Sequence, residues 1–195
     1  MIGSLAIVIV LSSLYSCSSE SDKQEFAGCA GCHDVELDQN HQFTCVSCHL
    51  GNDEEYTVEI AHKDLITNPA HPANAEKSCG ACHTRQLELV KPNNHYALSN
   101  HLNKVRRVFG AHGTVTDASA ISSSPAPASA LELVDDLLRR RCLRCHVYYQ
   151  GDDFARVRHG LGCAACHLSF YDGHMISHQF LAHPKDANCL SCHYG

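Results

Sequence analysis

Twelve of the 13 cysteines fall into six copies of one pattern, Cys-x-x-Cys-His. Each copy brings two nucleophilic sulfur atoms together with an imidazole that can bind a metal ion. A zinc ribbon also uses paired Cys-x-x-Cys units, but it needs no histidine after every second cysteine. Structural disulfides fit poorly, because cysteines this close suit thiol exchange better than crosslinking. The units are Cys29/Cys32/His33, Cys45/Cys48/His49, Cys79/Cys82/His83, Cys142/Cys145/His146, Cys163/Cys166/His167 and Cys189/Cys192/His193.

The pattern is the attachment signature of c-type haem. The two thiols add to the vinyl groups of one porphyrin, and the adjacent histidine becomes the proximal ligand of the iron. Six copies predict six covalently bound haem c groups. The expected proximal ligands are His33, His49, His83, His146, His167 and His193.

The ligands on the other face of each iron come from the remaining histidines. Ten of the 16 histidines lie outside the motifs, whereas Met175 is the only methionine apart from Met1. This supply predicts that each iron is held by two histidines. Without the axial methionine that raises the potential, low reduction potentials are expected.

An internal repeat selects six of these ten histidines. Both halves of the sequence contain, in order, a motif, a histidine four residues before a motif, Ile-x-His, Ala-His-Pro and a third motif. The predicted distal ligands are therefore His41, His62, His71, His159, His178 and His183. The unmatched histidines are expected to be exposed or bonded to haem propionates, with His174 an alternative to His178; they are His95, His101, His112 and His174.

The first residues resemble a bacterial lipoprotein signal. Ile2 to Leu14 is uncharged and mostly apolar, yet too short to span a bilayer comfortably, and small residues precede Cys17. The resemblance implies a signal peptide over 1–16, lipidation of Cys17 and a tether over 17–28. An ordinary cleaved signal and an uncleaved anchor are the alternatives.

The rest of the chain divides into two three-haem modules and a connection. Module 1 spans 29–95 and module 2 spans 142–195. The connection, 96–141, begins with apolar residues at helical spacing from Tyr96 to Phe109. A linker rich in Ala, Ser and Pro follows over 111–130, and a second helix is expected from Ala130 to Arg141.

Together these residues resemble the multihaem c-type cytochromes, especially class III cytochromes c and their three-haem relatives. The stretch from Arg158 to His167 is similar to their His-Gly-x-Gly-Cys-x-x-Cys-His run, and the resemblance covers roughly 29–83 and 142–193. It implies a multihaem cytochrome c fold that is mostly irregular, with a few short α-helices, little or no β-structure, and haems forming the core. It also implies that a histidine often serves a neighbouring haem.

Electron transfer is the expected function, with no catalytic residues. The net charge of −6 argues against nucleic-acid binding. Six closely spaced haems predict an electron conduit that is lipid-anchored at the cell envelope, at the outer membrane, with a periplasmic or extracellular location as the alternative. Its partners would be other redox proteins, the membrane through the lipid, and further copies in an oligomer or filament. A multihaem reductase with one open iron is the rival hypothesis.

Overall fold

The computed structural model of the chain describes residues 28–121, 124, 126–148, 159–171 and 174–193. In these residues, short helices alternate with irregular segments. The helices are α1 (Val46–His49), α2 (Val58–Ala61), α3 (Ala75–Ser78), α4 (Gly80–Val90), α5 (Ser99–Val108), α6 (Ala130–Arg141), α7 (Ala164–His167) and α8 (Asp186–His193). Single 3-10 turns occur at Cys29–Gly31, Ala118–Ala120 and Leu143–Cys145.

One small sheet lies in the C-terminal half. Strands β1 (Ser169–Tyr171) and β2 (His174–Ser177) pair antiparallel, with Phe170 opposite Met175. No other strand pairing longer than a single bridge occurs in the described residues. The described chain is therefore mainly helical and irregular, with very little β-structure.

The two helices expected between the modules are present as α5 and α6. Helix α6 begins with a reciprocal cap: Ser129 Oγ accepts a hydrogen bond from Glu132 N at 3.2 Å, and the Glu132 carboxylate accepts one from Ala128 N at 2.6 Å. Such a cap satisfies backbone donors that the first helical turn leaves free. Because Glu132 lies in the first turn and Arg139 to Arg141 in the last, the helix dipole is complemented at both ends.

Helices α5 and α6 pack around the larger apolar core. Leu102 of α5 is fully buried against Val134 and Leu138 of α6. A largely buried ion pair also joins the helices, with Arg106 Nε 2.8 Å from Asp135 Oδ1. Ala118 and Ile121 belong to this core as well, although composition predicts a flexible linker there. Their apolar side chains give the first part of the linker a surface to bury.

The two halves are in contact with each other. A smaller core combines Ala70 from the first half with Ala164 and Leu168 from the second. Cys163 N donates to Ala70 O at 3.2 Å, and Leu37 forms a parallel β-bridge with His178. The repeat in the sequence therefore corresponds to two segments that pack together.

Gly162 makes the close approach between the halves feasible. Its φ is +53°, in the region that L-residues rarely adopt, and a Cβ there would overlap the Ala70 carbonyl oxygen. Gly162 N also donates to Val147 O at 2.9 Å. The second glycine of the His-Gly-x-Gly run thus has a steric reason for being glycine.

Neither α4 nor the β1–β2 pair is expected from the sequence. Helix α4 begins inside the third motif and bends at His83, whose φ and ψ are −110° and 30°. Its Leu87 is buried. Among the helices of the described chain, none combines the length and apolarity needed to cross a bilayer.

Candidate functional site

Four of the six motifs form the same hydrogen-bonded turn. The histidine N–H donates to the carbonyl oxygen of the first cysteine at 2.8–2.9 Å for His33, His49, His83 and His167. In the fourth motif His146 N donates instead to Leu143 O at 2.8 Å, and the sixth motif lies within α8. Helical spacing puts the two cysteines, three residues apart, on one face with the histidine beside them. This is the arrangement needed to hold one porphyrin edge and reach its metal.

The two cysteines of the first motif differ in exposure. Cys32 is exposed, whereas Cys29 is half-buried. Cys32 ends a single 3-10 turn, where its N–H donates to Cys29 O at 3.1 Å. None of the hydrogen bonds between described residues involves its thiol. The Cys32 thiol therefore lies at the surface of the described part of the chain.

Five other predicted attachment cysteines are also exposed. An exposed thiol can still react, because attachment requires that a porphyrin reach the sulfur atom. Their role as attachment residues, like that of Cys32, stays a prediction from the motif. The other exposed cysteines are Cys82, Cys142, Cys166, Cys189 and Cys192, and the half-buried ones besides Cys29 are Cys45, Cys48, Cys79, Cys145 and Cys163.

Backbone carbonyls orient two of the motif imidazoles. Nδ1 of His49 lies 2.9 Å from Ile66 O, and Nδ1 of His167 lies 2.8 Å from Leu181 O. Because a carbonyl oxygen can only accept, the proton must be on Nδ1 in both rings. In the neutral ring Nε2 then carries the lone pair, which is the form that binds a metal ion.

Four motif histidines face a histidine from outside the motifs. The ring centroids of His33 and His62 are 6.0 Å apart, and those of His83 and His41 are 6.2 Å apart. The same holds for His49 with His178 at 6.4 Å and for His193 with His95 at 6.1 Å.

These separations fit an iron held between two imidazoles. With metal–nitrogen bonds of about 2.0 Å on opposite sides of one ion, the two ring centroids lie about 6 Å apart. Burial, and next the neighbouring His49, lower the pKa of His178. A neutral His178 near pH 7 presents a lone pair rather than a proton.

Only three of the six predicted distal ligands belong to the four histidine pairs. His41, His62 and His178, all selected from the repeat, each face a motif histidine. His178 crosses from the second half to the first, since its partner is His49. The other predicted ligands, His71, His159 and His183, are not brought against a motif histidine by any ring contact among the described residues.

His71 and His159 are engaged with backbone groups instead. His71 Nε2 lies 2.9 Å from Tyr148 O, while the two ring nitrogens of His159 lie 3.1 Å from Cys145 O and 2.6 Å from Gly160 O. A hydrogen bond with the Cys192 thiol, opposed by burial, raises the pKa of His159. His71 contacts the segment just after the fourth motif, and His159 contacts the fourth and sixth motifs. Both rings would need to turn to bind an iron there.

His95 is the functional candidate that sequence reasoning left out. It has no counterpart in the repeat, so its only signal was being one of ten free histidines. It meets His193 across almost a hundred residues of sequence. No local spacing encodes a contact of that range.

His146 carries an unpartnered buried nitrogen. The residue is 8% exposed, and its Nε2 has no hydrogen-bond partner. Burial lowers its pKa. A buried nitrogen without a partner costs free energy unless something binds it, so the site suits a metal ligand.

The motif thiols lie next to one another in a defined order. Burial, and then the neighbouring Cys45 thiol, raise the pKa of Cys29. Ser78 Oγ, just before the third motif, donates to Cys48 O at 3.0 Å. Burial, and then the neighbouring thiols of Cys163 and Cys48, raise the pKa of Cys79 to about 11.

The motifs of the second half also neighbour one another. Asn188, just before the sixth motif, donates through Nδ2 to Leu168 O at 2.8 Å, much as Ser78 donates to the second motif in the first half. Cys192 Sγ lies 3.1 Å from Cys145 O, which joins the sixth motif to the fourth. The motifs therefore neighbour one another in the order first, second, third, fifth, sixth, fourth. All twelve motif cysteines are free thiols.

Some predicted features lie outside the described residues. They are the signal over 1–16, Cys17, nearly all of the tether, and Arg158. Among the residues that are described, no three His, Cys, Asp or Glu side chains converge as an ion site of their own.

Comparison with known proteins returns no match. No protein-family description fits the chain, no curated protein is similar to it, and no solved structure resembles it.

Proposed function

We propose that this chain is a hexahaem c-type cytochrome that conducts electrons at the bacterial cell envelope. The observation that carries the proposal is the combination of six Cys-x-x-Cys-His motifs with four histidine pairs about 6 Å apart. When bound, haem iron supplies reversible one-electron transfer. The chain supplies attachment, axial ligands, spacing and burial.

The cysteines attach the cofactors and fix their spacing. Because the attachment sites neighbour one another in the order first, second, third, fifth, sixth, fourth, they define one continuous row across both halves. Short separations favour hopping between similar sites. The first and fourth motifs are the two ends of this row, where donor and acceptor proteins would dock. Cys32, exposed at the first end, suits that role.

Export, the lipid anchor and the partners are parts of the same proposal. Cys17 would carry the lipid, and the tether would join it to the first motif at Cys29. Other redox proteins would exchange electrons with the row, and further copies of the chain would extend it as an oligomer or filament.

A multihaem reductase is the second candidate. The ring that stacks on His146 is that of Tyr148, nearly parallel at 6.2 Å, and no imidazole forms such a ring pair with it among the described residues. An iron bound by His146 with no second histidine would keep an open position for a small substrate.

Haem content and carbon monoxide binding test the two candidates on the full chain. The conduit predicts six haems per chain and an unchanged spectrum when carbon monoxide is added to the fully reduced protein. A spectral change worth one haem would favour the reductase. Haem-free protein recovered from a host that attaches haem to other cytochromes would overturn both.

A further inference from the structure

We propose that Asp38 is a positioning residue that lowers the reduction potential of the one iron held between His41 and His83. This inference rests on the proposed function, because it concerns a haem attached at Cys79 and Cys82. Its basis is a carboxylate–imidazole contact of a kind that the other oriented ligands lack.

The His41 imidazole is close to both oxygens of the Asp38 carboxylate. His41 Nδ1 lies 2.8 Å from Asp38 Oδ2 and 3.0 Å from Oδ1. Since a carboxylate accepts and cannot donate, the Nδ1 proton points at Asp38, so in the neutral ring it is Nε2 that carries the lone pair. The His41 ring also lies against the Phe180 ring, 4.7 Å between centroids.

Asp38 is itself held in place by two backbone donors. Its Oδ1 accepts from Asn40 N at 2.9 Å, and its Oδ2 accepts from Phe180 N at 3.0 Å. The side chain is 16% exposed, so water screens its charge only partly. The carboxylate is therefore fixed toward His41 rather than free to turn away.

A fixed negative charge at the far nitrogen changes what the ligand does to its metal. The hydrogen bond makes the imidazole more basic, as in carboxylate–histidine–metal arrangements. Reduction adds one electron and removes one positive charge from the iron. A nearby anion stabilises the more positive, oxidised form, so the potential falls.

The comparison with His49 and His167 shows what is particular about His41. Their Nδ1 atoms donate over similar distances, 2.9 and 2.8 Å, but to the neutral carbonyl oxygens of Ile66 and Leu181. The three hydrogen bonds therefore have similar lengths, but only the acceptor of the His41 hydrogen bond is negatively charged. The iron at His41 should be more reducing than it would be with a neutral acceptor.

Asp38 also joins the two halves of the chain at their ligands. Phe180, which donates to it, lies two residues beyond His178, and Leu37 forms the bridge to His178. One carboxylate therefore holds His41 and helps hold the segment that presents His178 to His49. Asp38 therefore contacts the ring of one ligand, His41, and only the backbone near the other, His178.

The test is Asp38→Asn in the full haem-bound chain. Asparagine keeps an oxygen that accepts from His41 but removes the negative charge. In an optical redox titration we expect one of the six midpoint potentials to rise and the other five to remain unchanged. The low-spin electron paramagnetic resonance signal of that haem should shift but remain.

The matched control is Glu36→Gln, which removes the same charge from an exposed side chain two residues away. An equal rise in Glu36→Gln would mean that charge acts through space and not through His41, which would overturn the inference. Unchanged potentials in Asp38→Asn would overturn it as well. Loss of the low-spin signal, with new carbon monoxide binding, would show that Asp38 only keeps His41 in place, which also overturns it.

Haem content separates this inference from the proposed function. Six haems with unshifted potentials would refute the role of Asp38 alone. A chain without haem would refute the proposed function first. His41→Ala provides a second check, because it should open one iron to carbon monoxide if His41 is a ligand.

Discussion

At the scale of single residues, the hydrogen bonds that Nδ1 donates determine which imidazole nitrogen can bind a metal ion. His49 and His167 donate to carbonyl oxygens and His41 donates to a carboxylate, so all three leave Nε2 for a metal ion. His159 differs, because both of its nitrogens lie near carbonyl oxygens and its pKa is raised by the Cys192 thiol. A ring engaged in this way must lose a proton and turn before it can bind iron.

The repeat and the structure differ on His183, and that difference can be measured against His178. His178 and His183 were both selected as distal ligands, but only His178 faces a motif histidine. We expect His178→Ala to make one iron of the reduced protein bind carbon monoxide. His183→Ala is the matched control and should leave the spectrum unchanged.

The reverse result would contradict the pairing of His49 with His178. A carbon monoxide signal in His183→Ala alone would mean that His183, and not His178, is a distal ligand. Equal signals in both variants would mean that both histidines are distal ligands, as the repeat predicts.

Several residues of the site could be predicted because their signal is local. The motif cysteines and histidines follow from a five-residue spacing, and His41, His62 and His178 follow from the repeat. His95 and Asp38 could not be predicted in this way. Their contacts, with His193 and with Phe180, depend on how distant segments fold together.

At the scale of elements, the loop before α7 is where the two halves meet most tightly. Gly162 has a positive φ and packs directly on the Ala70 carbonyl. We expect Gly162→Ala to destabilise the protein by at least about 1–2 kcal/mol, the usual cost of a left-handed conformation for an L-residue, with steric overlap added. Urea unfolding followed by far-ultraviolet circular dichroism would measure the loss.

Gly113→Ala is the control for that experiment. No heavy atom lies within 4 Å of the position its Cβ would occupy, and its φ is not in the positive region. We expect a change within about 0.5 kcal/mol, as for surface substitutions generally. Equal unfolding midpoints for the two variants would show that the Gly162 contact is not essential.

Helices α5 and α6 were predictable for a reason that α4 lacks. Their apolar residues recur at helical spacing, and α6 carries its own capping residues. In α4 the Cys-x-x-Cys-His motif occupies the first turns, and only Gly80 and Leu87 are buried. The helix therefore has no apolar stripe that could be recognised in the sequence. Strands β1 and β2 have only three and four residues. Such short strands contain too little alternation of apolar and polar residues to be recognised in the sequence.

At the scale of the whole molecule, the proposed anchor decides where the protein works. Cys17 is the one cysteine outside the six motifs. We expect Cys17→Ala to move the haem protein from the membrane fraction to the soluble fraction, because lipid chains supply the binding free energy. Fractionation followed by haem staining would measure it.

Ser16→Ala is a suitable control, since it leaves the cysteine in place. It should stay with the membranes. Retention of Cys17→Ala in the membrane fraction would argue for an uncleaved protein anchor instead of a lipid.

The order of the motifs in space also has a consequence for how the protein is made. An exported chain emerges from its N-terminus, so the fourth motif at Cys142 is delivered before the sixth at Cys189. Yet in space the fourth motif is joined to the row through the sixth, at the contact between Cys192 and Cys145. In the proposed cytochrome, a chain that stopped before Asp186 would carry five attachment sites but lose the connection between the fourth and the others. The segment of the sixth motif is therefore a bridge inside the row, although it is synthesised after the fourth motif that it connects.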